Sequence, residues 1–398
     1  MHYLATISLL WVHLLALASA KLPSVPHASC TVTASGGDDS PRLLAAVRAC
    51  SETIIPHGTT LNIATRLDMT GLSDKHLKLE GTLSFQPNIP YWTANGFPFT
   101  FQTQITFWIL GGRNIRLDGG GTLDGQGQAW YNAFASNSSL LRPIILTVTE
   151  AEGVTVENIQ MKNSPEWHNF VNQSKDVVYN NITIHAVSTN NNFAANTDGW
   201  NTYRSDTITI KNSVIVNGDD CVAFKPNSTN ILVENLDCTG SHGISVGSLG
   251  QFPGVFDIVR NVTARNIHMS QAQNGARIKA FAGPNVGSGI VQNITFQNFV
   301  ESQVGNPVIV DQCYMTNATA CAQFPSNTVI EDIIFDNISG TSTGPVVADI
   351  GCSPDGRCSS ITVTDLNLSA PSGAAQFTCQ NVVLSGDSAS LFPTCSTT

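Results

Sequence analysis

The sequence predicts an all-β fold, a parallel β-helix in which one chain winds as a solenoid through many short strands, with a helix at its amino-terminal end. From about residue 150 onward, runs of Ile, Val or Phe alternating with Thr, Gln or Glu recur with Asn or Asp beside them, as at 154–158, 208–212 and 231–235. This alternation is typical of a half-buried strand. The recurrence, roughly 22 to 36 residues, is too short for a strand-helix-strand unit each time but suits one coil of a β-helix with Asn stacked at its corners.

An antiparallel sandwich also has many short strands. It is disfavoured because the dipeptide turns of tight hairpins are not regularly placed in this sequence. Chain length agrees with a repeat architecture. A chain of 398 residues exceeds the size at which compact cores usually divide, whereas coils that pack only on their neighbours escape that limit.

The first element is a predicted signal peptide over residues 1–20. An apolar run from Leu4 to Leu17 ends in Ala18-Ser19-Ala20, a small-residue cleavage pattern, so the mature chain is expected to start at Lys21. A membrane anchor is the alternative reading, but the run is shorter than the ~20 apolar residues that span a bilayer. We therefore expect a secreted, extracellular protein without a membrane partner.

The next element is a predicted helix. Ser40-Pro41 precedes Leu43 and an apolar stretch to Cys50, with Pro at the first helical position. Such a helix would cover the open end of the solenoid. No linker or charge run divides residues 21–398, so we predict one domain there.

The ten cysteines fit an oxidising compartment, since they form five pairs of sequence neighbours. Spacing alone does not determine connectivity. The neighbours are Cys30 and Cys50, Cys221 and Cys238, Cys313 and Cys321, Cys352 and Cys358, and Cys379 and Cys395. Asn-x-Ser/Thr sequons make nine asparagines candidate glycosylation sites: Asn137, Asn172, Asn181, Asn227, Asn261, Asn293, Asn317, Asn337 and Asn367.

Charge limits the class of partner. Only 12% of the residues are charged and the formal net charge is −10, which argues against nucleic-acid binding because that requires a basic face. A polyanionic substrate remains compatible if the few cations gather in one cleft.

Two short strings carry three carboxylates, and a third carries a histidine. Asp198 lies in Asn-Thr-Asp-Gly, Asp219 and Asp220 in Gly-Asp-Asp-Cys, and His242 in Gly-Ser-His-Gly. Asp198 and Asp219 are 21 residues apart and Asp219 and His242 are 23 apart, so coils of ~22 residues would place them on successive rungs about 4.8 Å apart. Crowded carboxylates raise at least one pKa, as a general acid requires. Each string alone is an ordinary turn motif; Gly-Asp-Asp also occurs at 37–39, where we interpret it as turn and capping chemistry.

Two cations complete the constellation. Arg277 and Lys279 stand two apart in Arg-Ile-Lys, so on a strand they point the same way and could bind a sugar carboxylate. A solvated strand face is the alternative.

These strings together resemble the signature set of the polygalacturonase family of glycoside hydrolases, family 28, over at least residues 119–283. The resemblance implies a right-handed parallel β-helix that hydrolyses α-1,4-galacturonosyl bonds of a pectic polysaccharide with inversion. We expect no metal or cofactor, and a monomer. It implies that Asp219 is the general acid, that Asp198 and Asp220 hold and deprotonate the attacking water, and that His242 tunes the acid. It also implies that Arg277 and Lys279 bind the substrate carboxylate.

Within the family, Ser241, Lys225 and Trp200 resemble the fungal exo-acting branch, which implies a cleft closed at one end. The segments 167–172 and 190–195 are the predicted walls, being Asn-bearing and expected to be irregular. Two departures leave subsite preference open between polygalacturonate and a rhamnogalacturonan end. Asn201 stands where exo relatives commonly carry Asp, and Ala280-Phe281 where Val-Trp is common; neither is expected to touch the acid or base.

Four other functions remain as alternatives. An endo-polygalacturonase would share the site but have an open cleft. A calcium-dependent pectate lyase would use the aspartates as metal ligands and Arg277 as base. A zinc site from Cys221, Cys238 and His242 is weaker, because a disulfide across one coil is the simpler use of two cysteines in a secreted chain. A non-catalytic wall-binding protein would keep the solenoid without turnover.

Overall fold

The structure is a computed structural model that describes residues 28–396. The predicted signal peptide, residues 1–20, lies outside the described residues. The strands, numbered in chain order, are β1 Ser29–Thr31, β2 Glu52–Ile55, β3 Thr60–Ile63, β4 Leu67–Leu79, β5 Thr82–Phe85, β6 Phe97–Phe99, β7 Gln104–Asp118, β8 Thr122–Asp124, β9 Pro143–Lys162, β10 Asn169–Asn172, β11 Lys175–His185, β12 Trp200–Tyr203, β13 Asp206–Val216, β14 Val222–Phe224, β15 Ser228–Thr239, β16 Ile244–Leu249, β17 Phe256–Ser270, β18 Asn274–Phe281, β19 Ser288–Val304, β20 Asn306–Tyr314, β21 Asn327–Ser342, β22 Val346–Gly351, β23 Cys358–Ser369, β24 Gln376–Gln380 and β25 Leu384–Ser385. The α-helices are α1 Ser40–Ala49, α2 Ile89–Asn95, α3 Gln128–Ser136 and α4 Ala318–Gln323, and short 3-10 helices occur at Phe101–Thr103 and Asp387–Leu391.

Parallel pairing between successive coils builds the molecule. The long strands β9, β11, β13, β15, β17, β19, β21 and β23 stack in that order, and the shorter β10, β12, β14, β16, β18, β20, β22 and β24 form a second stack. Among the described residues only β6 and β7 pair antiparallel. The prediction of a parallel β-helix is confirmed, wound in the right-handed sense that parallel crossovers almost always take.

Coil length explains why the site motifs recur as they do. Trp200 pairs with Val222, and Val222 pairs with Ile244, so these two coils advance the chain by equal steps, from position 200 to 222 and from 222 to 244. The next coil is longer, since Ile244 pairs with Ala276. The apolar member of each alternating pair points into the solenoid, where one continuous hydrophobic core runs from Val32 to Phe392.

Asparagine ladders hold the corners between coils. The Nδ2 of Asn235 donates to the Oδ1 of Asn212 at 2.9 Å, and Asn266, Asn298 and Asn337 continue the same chain of bonds. These residues have positive φ, which the short side chain of Asn tolerates better than most residues do. The expectation of stacked Asn at the corners is therefore confirmed.

The amino-terminal helix α1 packs Leu43 and Val47 into the first coils, as predicted. The Gly-Asp-Asp string before it is structural: Asp38 accepts hydrogen bonds from the Ser40 backbone N–H and the Thr65 hydroxyl. The ten cysteines join as the five pairs of sequence neighbours, Cys30–Cys50, Cys221–Cys238, Cys313–Cys321, Cys352–Cys358 and Cys379–Cys395. Within residues 28–396, none of the helices has the length and hydropathy needed to cross a bilayer.

One sequon lies inside the protein. Asn172 ends β10, is buried, and donates its amide to Thr149 Oγ1 at 2.9 Å. A buried, bonded amide is not accessible for glycan attachment in the folded state, which leaves the other eight sequons as candidates. Asn227 is half-buried, whereas the remaining seven are exposed.

Candidate active site

The loops before three successive strands carry the predicted carboxylates and histidine. Asp198 precedes β12, Asp219 and Asp220 precede β14, and His242 precedes β16. These strands start with the pairs Trp200–Val222 and Val222–Ile244. Two positions earlier in the chain, Asp198 is level with Asp220, and Asp220 is level with His242. The spacings predict Asp219 in that column, but the register places Asp219 one position before it. The three carboxylates nevertheless converge, with one oxygen from each lying within 4.8 Å of the others.

The cluster opens into a cavity of about 230 Å³. This volume is below the roughly 300–1,000 Å³ of pockets for drug-sized ligands, so the cavity fits a small group or the end of a chain. Its lining residues are Gln102, Gln104, Glu166, Trp167, Asn196, Asp198, Asp219, Asp220, Lys225, Ser248, Lys279 and Tyr314.

Asp220 is the carboxylate held most firmly in its charged form. It is 1% exposed, and accepts hydrogen bonds from Lys279 Nζ at 2.6 Å and Ser245 Oγ at 2.7 Å. Burial alone would raise its pKa, but the positive charges of Lys279 and Lys225 outweigh burial and hold the pKa of Asp220 well below its ordinary value. Asp220 therefore stays charged, which suits it to orient a water.

Asp198 has the opposite environment. Burial, followed by the negative charge of Asp219, raises the pKa of Asp198 well above its ordinary value. Asn201 donates its amide to Asp198 Oδ2 at 3.1 Å and is itself fully buried. The expectation that Asn201 touches neither acid nor base is therefore wrong, because Asn201, the second residue of β12, bonds directly to one of the three carboxylates.

Asp219 is half-buried and has a partner on each side. His242 Nδ1 lies 3.2 Å from Asp219 Oδ1, and Asn196 donates its amide to Asp219 Oδ2 at 3.1 Å. Burial lowers the pKa of His242, but the hydrogen bond to Asp219 and the charges of Asp219 and Asp220 outweigh burial, so the His242 pKa is raised. The loop is fixed by Asn217, whose amide donates to the backbone carbonyls of Asp219 and Asp220 at 3.0 Å.

Arg277 and Lys279 project from the same face of β18, as their spacing predicts. The Arg277 guanidinium lies 5.2 Å and the Lys279 ammonium 5.4 Å from the centre of the Tyr314 ring, within cation–π range. Lys279 is 4% exposed and already pairs with Asp220, whereas Arg277 is half-buried and its Nε has no protein partner among the described residues. Tyr314 was not predicted, and only the fold brings β20 beside β18.

A second network was missed from the sequence. Arg142, 2% exposed at the side chain, bonds to Glu166 at 2.8 Å and to Asn196 Oδ1 at 2.7 Å. Asn196 in turn donates to Asp219, so the buried Arg142–Glu166 ion pair is linked through Asn196 to the acidic cluster. Burial raises the pKa of Glu166 to about 7, although Arg142 opposes the rise. The composition contained one signal for this network. In a chain with so few charges, a cation just before an apolar strand needs an anionic partner.

A hairpin contributes Gln102 and Gln104 to the lining of the cavity. We call residues 97–104 the strap: it comprises β6, a 3-10 turn and the first residue of β7. Phe101 stacks on Tyr203 with ring centroids 4.0 Å apart, and Phe99 packs edge-on against Phe170. At the tip, Gln102 Nε2 donates to Gln251 Oε1 at 3.1 Å, which joins the strap to the loop after β16.

The strap takes the place of one predicted wall. Residues 169–172 are not irregular; they form the buried strand β10, which pairs with β9 and β12, with Phe170 packed against the strap and Val171 in the main core. Trp167, just before it, does line the cavity. Residues 190–195 are irregular as expected, and the Asn190 and Asn192 amides both donate to Asn132 Oδ1 on α3.

The profile of the glycosyl hydrolases family 28 matches residues 47–390. An exopolygalacturonase from Cochliobolus carbonum is 44% identical over 382 residues, covering 91% of this chain and 86% of that protein. A probable exopolygalacturonase B from Neosartorya fischeri is 45% identical over 332 residues, covering 81% of this chain and 73% of that protein.

Among solved structures, the endo-xylogalacturonan hydrolase from Aspergillus tubingensis superposes with a TM-score of 0.85 at 32% identity, covering 93% of this chain and 99% of that one. A profile match over most of the chain, together with close relatives that align over most of their own length, decides the family. The chain belongs to glycosyl hydrolase family 28.

Proposed function

We propose that this protein is an exo-acting polygalacturonase, which releases galacturonic acid from the non-reducing end of polygalacturonate by hydrolysing α-1,4 bonds. One observation carries the proposal: three carboxylates converge in a small cavity that also contains two buried lysines and lies beneath a strap. Carboxylates supply the acid and base of glycoside hydrolysis, and lysines suit an acidic sugar. The exopolygalacturonase names of the relatives support it.

In this mechanism Asp219 donates the proton to the leaving oxygen, since it is the most accessible carboxylate of the three and contacts His242. Asp198 and Asp220 hold the attacking water, and Asp220 is kept charged by Lys279. The water gives its proton to this pair while the glycosidic oxygen gains one from Asp219. The three carboxylates together therefore hold the same number of protons after the reaction as before it.

The carboxylates of the cluster share the proton that the reaction uses. Asp198 has the raised pKa, so in the free enzyme the cluster retains a proton next to Asp219 even where an isolated carboxyl would have lost it. Binding of substrate and water must pass that proton towards the leaving oxygen. The assignment of Asp219 rather than Asp198 as donor therefore rests on accessibility and on the family resemblance.

Inversion is proposed from the resemblance alone. The oxygens approach within 4.8 Å, which is nearer to the ~5 Å of retaining enzymes than to the roughly 6.5–9.5 Å of inverting ones. Proton NMR of the first product decides the matter, because inversion of an α-linkage yields β-galacturonate before mutarotation. α-Galacturonate as first product would show retention.

Arg277 and Lys279 are proposed to bind a substrate carboxylate. Both line or adjoin the cavity, and Lys279 has three N–H donors, of which Asp220 uses one. An exposed strand face is a poor description of Lys279, which is 4% exposed.

The strap supports the exo mode, since a chain cannot pass through a cleft that Gln102 and Gln251 bridge. An endo enzyme is the second candidate, favoured by the similarity to the endo-xylogalacturonan hydrolase. A time course of products on polygalacturonate, rhamnogalacturonan and xylogalacturonan separates them: galacturonate from the first minutes supports exo action. A ladder of oligomers from any of the three contradicts it.

The convergence of three carboxylates would also favour a cation, as in a calcium-dependent lyase. The donor set fits poorly, because Lys279 contacts Asp220 at 2.6 Å and a second buried lysine lies in the same cavity, whereas Ca²⁺ takes about 6–8 oxygens. Unsaturated products absorbing in the ultraviolet, with loss of activity in chelator, would establish the lyase. Binding of pectin without release of reducing sugar would instead indicate a wall-binding protein.

We further propose that residues 21–398 form one secreted catalytic domain that acts as a monomer on a pectic polysaccharide. The five disulfides support an oxidising compartment. Amino-terminal sequencing of the protein from culture medium tests cleavage before Lys21, and light scattering tests the oligomeric state.

A further inference from the structure

Lys225 is a buried cation in the cavity, and it differs from Lys279 in having no anion of its own. The residue is only 5% exposed, yet among the described residues its ammonium forms no hydrogen bond or ion pair with a carboxylate. The ammonium lies 5.7 Å from the centre of the Trp167 ring. A buried ammonium group destabilises the fold unless it is paired. The three N–H donors of Lys225 therefore call for an acceptor that the protein does not supply.

The register places Lys225 and Lys279 in one column on the cleft side of the solenoid. Phe224 pairs with Val246, so Lys225 is level with Gly247, and Gly247 pairs with Lys279. The two lysines are therefore two rungs apart, about 9–10 Å, with a glycine on the rung between them.

Gly247 leaves the space between the lysines open. A Cβ at this position would lie 2.3 Å from the carbonyl oxygen of Lys279, and φ is +106°, so no other residue fits without a shift of the backbone. The result is a gap in the column of side chains with an ammonium on each side. Ser248, which lines the same cavity, adds a hydroxyl.

Charge within the cavity indicates which kind of ligand fills the gap. The carboxylates Asp198, Asp219 and Asp220 line the same cavity, but none of them bonds to the Lys225 ammonium, and Asp220 already bonds to Lys279. Burial and the charge of Lys279 lower the pKa of Lys225; the charges of the three aspartates oppose that shift without reversing it, and none of the three contacts the ammonium directly as its counterion. A mobile anion of the substrate would supply it.

We propose that Lys225 binds the carboxylate of the galacturonate residue at the chain end and so selects an acidic terminal sugar over a neutral one. The proposal rests on the proposed function for the substrate, and adds to Arg277 and Lys279 a cation whose bonds are all available. Lys279, which already bonds to Asp220, has two N–H donors left for the substrate, whereas Lys225 has all three for the terminal carboxylate.

The test compares galacturonate with galactose, which has the same ring without the carboxylate. Galacturonate should raise the melting temperature of the wild-type protein, and galactose should not. Lys225→Met, which keeps the length and removes the charge, should weaken galacturonate binding by roughly 10- to 100-fold, the range for a lost charge-assisted hydrogen bond. Lys162→Met, at an exposed lysine that ends β9, is the matched control.

Turnover supplies the second readout. On trigalacturonate Lys225→Met should lose kcat/KM by a similar factor, whereas on the methyl-esterified trimer it should lose no more than about threefold. Equal losses on both substrates, or unchanged galacturonate binding, would overturn the proposal. Lys225→Arg, which keeps the charge, covers the case in which the Met variant fails to fold, and it should retain the preference for the acid.

The binding arm does not depend on hydrolysis. If the wild-type protein binds galacturonate through Lys225 but releases none from polygalacturonate, the proposed function fails and the Lys225 inference stands. If hydrolysis is normal and Lys225→Met binds galacturonate as the wild type does, the inference fails alone.

Discussion

His242 and Asp219 are joined twice across one coil of the solenoid: the imidazole Nδ1 lies 3.2 Å from the Asp219 carboxylate, and the His242 backbone N–H donates to the Asp219 carbonyl at 2.9 Å. The backbone bond belongs to the parallel pairing and holds the main chains of the two residues side by side on neighbouring coils. The fold therefore places the proposed acid and its neighbour within reach, and the side-chain torsions complete the contact.

Replacing Asp219 by Asn should lower kcat on polygalacturonate by several orders of magnitude, because the amide keeps the shape but carries no transferable proton. The melting temperature should change little. Retention of more than about a tenth of kcat, roughly 1.4 kcal/mol of barrier, would contradict the assignment.

A substrate with a good leaving group distinguishes the acid from the base. An aryl galacturonide needs little protonation of its leaving oxygen, so Asp219→Asn should recover much of its rate on it, whereas Asp198→Asn and Asp220→Asn should not. Recovery in Asp198→Asn instead would assign the donor to the carboxyl whose pKa is raised by burial. Losses among the three variants should not add.

Substitution of His242 by Gln should remove an alkaline limb from the dependence of kcat on pH. The His242 pKa is raised, so its attraction to Asp219 is complete below about 6.5, the ordinary His value, and is lost as the pH rises through the higher value in the fold. Glutamine keeps a donor but does not titrate. An alkaline limb unchanged in position and slope would show that another group is responsible.

Substitution of Lys279 by Met should move the acid limb of the kcat profile to higher pH. Burial favours the neutral form of Asp220, and Lys279 is the main charge that opposes it. Without that charge Asp220 takes up a proton at a pH where the wild type is still active. The acid limb of Lys162→Met should not move, and an unmoved limb in Lys279→Met would contradict the role given to the ion pair.

The fold was accessible from the sequence because a solenoid repeats its pattern. Alternating β-branched residues predict the strands, and the recurring Asn predicts the ladders at the corners. The carboxylates were accessible because their spacings are within one residue of the length of a coil. That one-residue uncertainty is also why Asp220, and not Asp219, proved level with Asp198.

The rest of the site depends on insertions that follow no period. The strap is one such insertion, and its bond from Gln102 to Gln251 joins residues 149 apart in sequence. Lys225 was singled out only by the resemblance to the exo-acting branch, because nothing in its spacing shows that it is buried without a hydrogen-bonded partner. Asn201 was misjudged because sequence position alone does not reveal which side chains share the cleft side of a strand.

A buried carboxylate remote from the mechanism makes stability depend on pH. Both carboxyl oxygens of Glu301 on β19 are buried without a hydrogen-bond partner among the described residues, and Gly275 of β18 packs directly against them. Burial raises the Glu301 pKa well above its ordinary value. The folded state therefore holds this proton more tightly than the unfolded chain, and stability falls as the pH rises above about 4.3.

Above a pH of about 4.3, the free energy of unfolding of Glu301→Gln should therefore rise relative to that of the wild type by up to about 1.4 kcal/mol per pH unit. The rise should end once the pH exceeds the raised pKa of Glu301. Denaturant unfolding between pH 4 and pH 7 measures the difference. Glu150→Gln, at an exposed glutamate, is the control and should show no such trend. A difference between Glu301→Gln and wild type that stays constant with pH would mean that folding does not change the pKa of Glu301.

Loosening the strap should change the mode of attack. Phe101→Ala removes the stack on Tyr203, which is worth about 0.5–1.5 kcal/mol beyond the area that it buries, and so raises the population of the open cleft several-fold. The wild type should release monogalacturonate from the first minutes with little loss of viscosity. The variant should lose more viscosity for each bond cleaved and release oligomers early, because interior bonds then reach Asp219. Phe256→Ala, at an exposed phenylalanine outside the cavity, should behave as the wild type.

Early trimers and longer products from the wild type itself would show that the strap does not close the cleft, although the assignment of the catalytic residues would stand. Release of galacturonate from rhamnogalacturonan alone would keep the exo mode and change the substrate, because the strap limits where a chain is cut and not which sugar precedes the cut.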